Sequence, residues 1–157
     1  MRWLRKILIY WLERQKQADG HFPEDIFYAS ARIFGEACLE LFIFRYTSGG
    51  NEQIYLLRRP IDDPYYPGLL HIPGTRKLPD DTDELQLRRI IAETELNIDW
   101  RDIDYRSSLT IKSPRGTEYA DIRYIVIPCD SNDENFYYID RLPDDLIDAH
   151  KELIHAR

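Results

Sequence analysis

A turn, a charged loop and an amphipathic helix follow one another over residues 72–96, and this stretch constrains the fold more than any other. Pro73-Gly74 ends a short apolar segment, and the glycine lets the chain turn sharply. Apolar side chains then recur at helical spacing, at Leu85, Leu87, Ile90, Ile91 and Leu96. This order of elements predicts a site for a metal ion and a diphosphate, because the helix fixes carboxylates while the loop wraps phosphate.

The same stretch resembles the box motif of the Nudix hydrolases, G-x5-E-x7-R-E-U-x-E-E-x-G-U, where U is an apolar residue. Counted without gaps from the first glycine, the matching residues are Gly74, Arg88, Ile90, Glu93 and Leu96. Asp80 stands for the loop glutamate. The residues that replace two glutamates and a glycine are Arg89, Ala92 and Glu95. A box that opens as Pro73-Gly74-Thr75 makes Asp81 the loop acid, so the register is open by one position.

One Nudix subgroup, the GDP-mannose mannosyl hydrolases, also lacks the first two glutamates, and its box helix ends in Ala-Glu as Ala92-Glu93 does here. Three arginines fall at positions similar to that subgroup's, namely Arg59, Arg76 and Arg88. The resemblance extends over residues 23–147. It implies an α/β (α+β) Nudix fold, in which a mixed β-sheet is sandwiched between α-helices.

The resemblance further implies a hydrolase of a nucleoside diphosphate linked to another moiety, such as a nucleotide sugar, with Mg²⁺ or Mn²⁺ as cofactor. The implied substrate-binding residues are Arg59, Arg76, Arg88 and Tyr124. The implied metal ligands are Glu93, Gly74 through its backbone carbonyl, and Asn132. One carboxylate holds Mg²⁺ weakly, so we expect the substrate to complete the coordination shell.

Asp133 and Glu40 are the implied catalytic residues. Aligned on residues 136–138, Asn132 and Asp133 take the place of the subgroup's Gln-His pair, which supplies a ligand and the general base. Glu40 falls near an aspartate of the subgroup. The plainer interpretations are a solvated acidic loop at 133–134, a solvent-facing Glu40, a solvated helix face for Glu93, and surface salt bridges for the arginines.

Two alternatives to the enzyme stay open. The replacements at positions 89 and 92 suit a catalytically impaired Nudix-fold module that binds a nucleotide-like ligand or a protein partner. A dimeric structural protein is the third possibility, because residues 1–20 predict an amphipathic helix with Trp3 and Trp11 on one face. That helix packs on its own domain or on a second copy, which would give a homodimer.

The length and charge of the chain bound the rest. With 157 residues, we expect one globular unit over residues 21–157 after the first helix. The net charge of -7 and a pI near 5.1 argue against nucleic acid and anionic membranes as partners. Cys38 and Cys129 are expected to be buried thiols, and no secretory signal is recognisable, so a cytoplasmic protein is predicted.

Local patterns predict the remaining elements. Strands are expected at 37–45, 53–59, 69–72, 105–111, 118–129 and 136–140, with a hairpin turn at 48–51. Helices are expected at 24–33, 83–96 and 144–155. His71 is expected to be a packed histidine rather than a ligand.

Overall fold

The computed structural model describes residues 35–78, 80–129 and 133–156, and before them positions 7, 10–12, 14, 15, 23, 26, 29, 32 and 33. The strands are β1 (Glu36–Tyr46), β2 (Glu52–Tyr55), β3 (Leu57–Arg58), β4 (Leu70–His71), β5 (Gly74–Arg76), β6 (Asp104–Ser113), β7 (Gly116–Val126) and β8 (Phe136–Tyr138). Two helices lie wholly within the described residues, α1 (Asp83–Thr94) and α2 (Asp148–His155), and short 3-10 turns span Trp100–Asp102 and Ile139–Arg141. The described positions 7, 10–12, 14, 15, 26, 29, 32 and 33 are also helical.

A mixed sheet of six strands organises the chain, as predicted. Its order is β6-β7-β1-β2-β8, and β5 also pairs with β1. The strands β1 and β7 run parallel, whereas β1 pairs antiparallel with both β2 and β5. A separate antiparallel ladder joins β3 to β4. The central strand β1 therefore has neighbours on both edges and is hidden on both faces.

The two faces of β1 explain its long apolar run. Alternate residues of a strand point to opposite faces. Leu39, Leu41 and Ile43 belong to the core cluster that includes Leu87 and Ile90 of α1. On the other face, the cluster contains Cys38, Phe42 and Phe44 of β1 together with Leu153 and Ile154 of α2. The sheet thus lies between two helices, each covering one face.

Helix α1 begins at a side-chain cap and ends at a residue with left-handed backbone conformation. The hydroxyl of Thr82 accepts a hydrogen bond from the amide of Leu85, which caps the first turn. Leu87 and Ile90 are buried against the sheet. The helix ends because Glu95 adopts a left-handed conformation with φ of 58°. It is therefore two residues shorter than the predicted 83–96.

Two predicted elements are shorter than expected because distant backbone groups compete for their hydrogen bonds. The predicted strand 53–59 is divided at Leu56, whose amide donates to the carbonyl of Asn135. The predicted helix 144–155 begins only at residue 148. Residues 145–147 form backbone hydrogen bonds with Leu70 instead. The Leu70 amide donates to the Asp145 carbonyl, and the Leu70 carbonyl accepts from the Ile147 amide.

The N-terminal prediction is only partly within the described residues. Ile7, Tyr10 and Trp11 are exposed, whereas Trp3 and most of the predicted helix 24–33 lie outside the described positions. Trp11 is 48% exposed, and the expectation that the first helix packs on its own domain or on a second copy stays a prediction. Cys38 is buried as predicted, but Cys129 is exposed, and both are free thiols. Among the helices that the structure describes, none is both long and apolar enough to span a bilayer.

Candidate functional site

A cleft of about 600 Å³ opens between β5, the start of β1, the β3-β4 ladder and the last turns of α1. The side chains that line it are mostly charged. Its acids are Glu36, Glu40, Glu93 and Glu118, and its arginines are Arg58, Arg59, Arg76, Arg89 and Arg115. Carboxylates and guanidinium groups in one concave surface suit a ligand that carries negative charge and a metal ion.

Gly74 and Glu40 form the centre of this cleft. They are paired residues of β5 and β1. A Cβ atom on residue 74 would lie 2.7 Å from the Cδ atom of Glu40 and 2.8 Å from its Oε1 atom. These distances are too short for a real side chain. Glycine is required at residue 74 because the strand lies directly against the carboxyl group of Glu40.

Glu40 does not point to solvent. Its side chain is 5% exposed, and its Oε2 atom is buried without a hydrogen-bond partner among the described residues. Burial, and next the nearby Glu118 carboxylate, raise the pKa of Glu40 to about 8, against the opposing effect of Arg115 and Arg59. The carboxyl group therefore changes protonation near neutral pH.

Glu118 and Cys38 complete the floor of the cleft. The Glu118 carboxylate accepts hydrogen bonds from the Ser113 hydroxyl at 2.6 Å and from Nη2 of Arg115 at 3.1 Å. Burial would lower the pKa of Arg115, but the carboxylates of Glu118 and Glu36 raise it overall, so Arg115 stays charged. Burial, and then Glu40 and Glu118, raise the pKa of the Cys38 thiol.

The arginines of the cleft are held by carboxylates. Nε of Arg76 lies 3.1 Å from Oε1 of Glu36. Nη1 of Arg59 donates to Asp63 at 3.3 Å, while its buried Nε atom has no hydrogen-bond partner in the described part of the chain. A bound anion can satisfy that donor, because guanidinium groups recognise phosphate through several N–H groups at once.

Arg89 fixes the loop that follows β5. Its Nη1 and Nη2 atoms donate to the two carboxylate oxygens of Asp81 at 2.7 and 2.6 Å, and Nη2 also donates to the carbonyl of Arg76 at 3.0 Å. The Arg89 bond lowers the pKa of Asp81, so this carboxylate stays ionised. The loop is thereby held against the first turns of α1.

The chain is similar to known proteins in structure but not in sequence. No protein-family model matches the sequence, and no curated protein matches it either. Among solved structures, the NUDIX domain of Shewanella oneidensis NrtR complexed with ADP ribose is similar to this chain, with a TM-score of 0.59 and 16% identity, over 85% of this chain and 96% of that one.

Two further structures agree with this likeness. A Nudix hydrolase from M. smegmatis, RenU, matches with a TM-score of 0.54 and 16% identity, over 77% of this chain and 83% of that chain. A C. elegans Ap4A hydrolase in a binary complex matches with a TM-score of 0.51 and 13% identity, over 76% and 93%. The chain has the Nudix fold.

The bond between Arg89 and Asp81 favours one of the two registers in which the sequence resembles the Nudix box. The motif separates its loop acid from its arginine by eight positions, and Asp81 and Arg89 have that separation and are bonded to each other. This contact agrees with the register that makes Asp81 the loop acid. Glu93 then takes the first position of the paired glutamates, and Thr94 replaces the second.

Glu93 lies at the edge of the cleft, four residues after Arg89 on the same side of α1. Burial raises the pKa of Glu93, while Arg59 and Arg89 oppose the increase. The structure thus brings together four of the predicted Nudix site residues and the catalytic candidate on β1. These residues are Arg59, Arg76, Gly74, Glu93 and Glu40.

Arg88 and Tyr124 are not part of the cleft, which corrects their predicted placement. A helix turns by about 100° per residue, so Arg88 points away from the side that carries Arg89. Arg88 is 58% exposed and donates to Glu84 at 2.8 Å. Tyr124 lies on β7, where it packs against the core cluster that contains Leu153 and Ile154 of α2, and it lines a different groove.

The predicted loop residues are also separate from the cleft. Asp133 accepts a hydrogen bond from the amide of Asn135 at 2.8 Å, and it is absent from the cleft lining of the described chain. Asn132 lies outside the described residues. His71 is buried, as expected, but it also lines the cleft; burial, and then Arg59, lower its pKa to about 4. Its ring is therefore neutral.

Sequence reasoning missed six charged or thiol residues of the cleft: Glu36, Cys38, Arg58, Arg89, Arg115 and Glu118. One signal was present. Polar residues at positions 36, 38 and 40 alternate with apolar ones at the start of an otherwise apolar strand, so they share one face. A buried face that carries acids at this spacing indicates a site.

Proposed function

We propose that this protein is a Nudix-type hydrolase of a nucleoside diphosphate linked to another moiety, with Mg²⁺ or Mn²⁺ as its cofactor. The observation that carries this proposal is the composition of the cleft. Arg59, Arg76, Glu93 and Gly74 all line the same space. Cations for a diphosphate and an oxygen ligand for a metal ion thus occur within one concave site.

The arginines supply phosphate recognition. Arg76 is half-exposed, and the buried Nε atom of Arg59 has no hydrogen-bond partner among the described residues. Both can donate to phosphate oxygens as the ligand enters. Arg89 contributes by holding the loop through Asp81, so that the Arg76 backbone stays in place.

The residues present fit a hard divalent ion that the substrate helps to hold. Mg²⁺ prefers oxygen ligands, and the lining of the cleft includes both Glu93 and Gly74. A bound ion would neutralise charge that develops on the diphosphate. One carboxylate leaves most of the coordination shell to water and phosphate, so binding of the ion and binding of the nucleotide should strengthen each other.

Glu40 is the residue that we assign to proton transfer. Its pKa near 8 suits a group that accepts a proton from water at neutral pH. Asp133, the other candidate, does not line the cleft. Two of the similar structures support the class of substrate, because ADP ribose and Ap4A both contain phosphoanhydride-linked nucleosides. Nucleotide sugars such as GDP-mannose belong to the same chemical class.

A second candidate function is ligand binding without hydrolysis. One observation favours it. Of the acids in the box helix that the motif uses, Glu93 alone is kept in the observed register, with Ile90 and Thr94 at the other two positions. A site with fewer carboxylates holds a metal ion less tightly but still recognises phosphate through arginine.

Calorimetric titration of ADP with and without Mg²⁺ tests the proposal. In the native chain, Mg²⁺ should tighten ADP binding, and Glu93→Gln should abolish that coupling. The matched control is Glu84→Gln, the same substitution on the same helix but outside the cleft, and it should leave the coupling intact. Arg76→Ala should weaken ADP roughly tenfold or more, because charge-assisted hydrogen bonds contribute about 1.5 to 3 kcal/mol.

A hydrolysis screen separates the two candidate functions. It would include GDP-mannose, ADP ribose and Ap4A with Mg²⁺ or Mn²⁺. Product release that is lost in Glu40→Gln supports the enzyme. ADP binding without release of any product supports the binding module, and no binding at all would remove both.

A further inference from the structure

Three side chains with metal-binding atoms meet on the floor of the cleft. Cys38 and Glu40 share one face of β1, and Glu118 lies on the parallel neighbour β7. The sulfur of Cys38 and carboxylate oxygens of Glu40 and Glu118 all lie within 4.8 Å of one another, and all three residues are buried. The sheet itself therefore holds these atoms close together.

A second observation points to a missing ligand. Oε2 of Glu40 is buried and has no hydrogen-bond partner in the part of the chain that the structure describes. Buried polar atoms are nearly always bonded, because an unpaired one loses its hydration without compensation. This atom belongs to a carboxyl group that lies close to a thiol and a second carboxylate, and such a group is suited to bind a cation.

We propose that Cys38, Glu40 and Glu118 form a binding site for a divalent ion of the Zn²⁺ class, distinct from the ion that Glu93 would hold. The ligand types decide the ion. A thiolate is a soft ligand that Zn²⁺ and Co²⁺ accept, whereas Mg²⁺ takes oxygen ligands. The proposal does not depend on hydrolysis, since it concerns binding alone.

The geometry and charge of the site agree with such an ion. Zn²⁺ binds sulfur at about 2.3 Å and carboxylate oxygen at about 2.0 to 2.2 Å, so donor atoms within 4.8 Å can converge by small side-chain rotations. Three anionic ligands would be neutralised by the divalent ion and by Arg115, which bonds Glu118. Arg115 and Ser113 also orient that carboxylate, as residues behind metal ligands commonly do.

Three protein ligands would leave one position of a tetrahedral ion unfilled, and all three residues line the cleft. Small molecules that enter the cleft can therefore reach the ion. Glu40 cannot bind an ion and accept a proton from water at the same time. Zn²⁺ should for that reason inhibit the hydrolysis proposed above.

Co²⁺ is the probe for this site, because a thiolate bound to Co²⁺ gives a charge-transfer band in the near ultraviolet. The full chain, freed of metal by a chelator, is titrated with Co²⁺. We expect saturation at one equivalent, a thiolate band, and loss of the band when Zn²⁺ is added. Cys38→Ser should remove the band, whereas Cys129→Ser, which changes the exposed cysteine, should keep it.

Variants of the acids complete the test. Glu118→Gln should weaken Co²⁺ binding roughly tenfold or more, and Glu93→Gln should leave it unchanged. Absence of a thiolate band in the native chain would overturn the proposal without any variant, as would a band that survives Cys38→Ser. A thiolate band in a chain that hydrolyses nothing would support this site and count against the enzyme, so the two failures are distinguishable.

Discussion

Tyr55 donates its hydroxyl group to the backbone carbonyl of Thr94 at 2.7 Å, which ties β2 to the last residue of α1. Both groups are buried. Replacing Tyr55 with Phe should lower the free energy of unfolding by about 1 to 3 kcal/mol, because the Thr94 carbonyl then loses its partner away from water. Urea denaturation monitored by circular dichroism measures this change.

The control for Tyr55→Phe is Tyr119→Phe, since the Tyr119 side chain is exposed. Water replaces the partner of an exposed hydroxyl group, so this variant should change stability by less than about 0.5 kcal/mol. Equal losses in the two variants would show that the hydrogen bond to Thr94 does not stabilise the end of α1.

Gly74→Ala should destabilise the fold through a single clash. The three nearest atoms to the added Cβ all belong to the Glu40 carboxyl group, which is buried. We expect a loss of roughly 1 to 3 kcal/mol, as for other overpacked sites. In a Glu40→Ala background the same substitution should cost much less. An unchanged cost there would mean that the clash is with something else.

Arg89 and Arg88 are adjacent, and they should differ in their effect on stability. Arg89→Ala removes both hydrogen bonds to the buried Asp81 carboxylate, whereas Arg88→Ala removes one exposed ion pair with Glu84. Because Arg89 is itself 36% exposed, we expect a loss of about 1 to 2 kcal/mol, against less than about 1 kcal/mol for Arg88.

The same pair of variants should also differ in ligand binding. Arg89→Ala should weaken the binding of ADP, because the loop that carries Arg76 is no longer fixed. Arg88→Ala should not, since Arg88 lies outside the cleft. Calorimetric titration of both variants would reveal the difference. Weaker binding in Arg88→Ala alone would restore the placement that the ungapped motif suggested.

Elements whose signal is local were predictable from the sequence. The central strand β1 is an apolar run followed by the turn at Gly49-Gly50, and α1 repeats apolar residues at the helical period. These patterns indicate which face of each element is buried. In the fold, Leu87 and Ile90 of α1 pack against one face of the sheet. A mixed sheet between two helices followed from them.

Features that depend on distant partners were not predictable. The segment 145–147 has a helical sequence pattern, yet its backbone groups form hydrogen bonds with Leu70 and not within a helix. The site shows the same limit. Shifting the box by one residue exchanges Arg88 for Arg89, which rotates the arginine by about 100° and moves it from the surface into the cleft. Only the contact with Asp81 decides between them.

His150 should make the protein sensitive to acid. It is buried on α2, and its Nδ1 atom accepts a hydrogen bond from the amide of Ile72 at 2.8 Å. Burial, followed by electrostatic repulsion from the neighbouring His71, Arg59 and Arg115 when the ring is protonated, lowers the pKa of His150 to about 3 from its ordinary value of 6.5. The folded chain therefore keeps this ring neutral, while the unfolded chain binds a proton below pH 6.5.

The sign of the effect follows from that difference. Because the unfolded state binds more protons between about pH 3 and 6.5, stability falls as the pH is lowered through this window. His150→Asn keeps a hydrogen-bond acceptor for Ile72 but cannot titrate. Between pH 7.5 and 5, the native chain should lose about 2 kcal/mol more than this variant, since each pH unit below 6.5 contributes about 1.4 kcal/mol. Urea denaturation at both pH values measures the two losses, and equal losses would show that His150 is not held neutral in the fold.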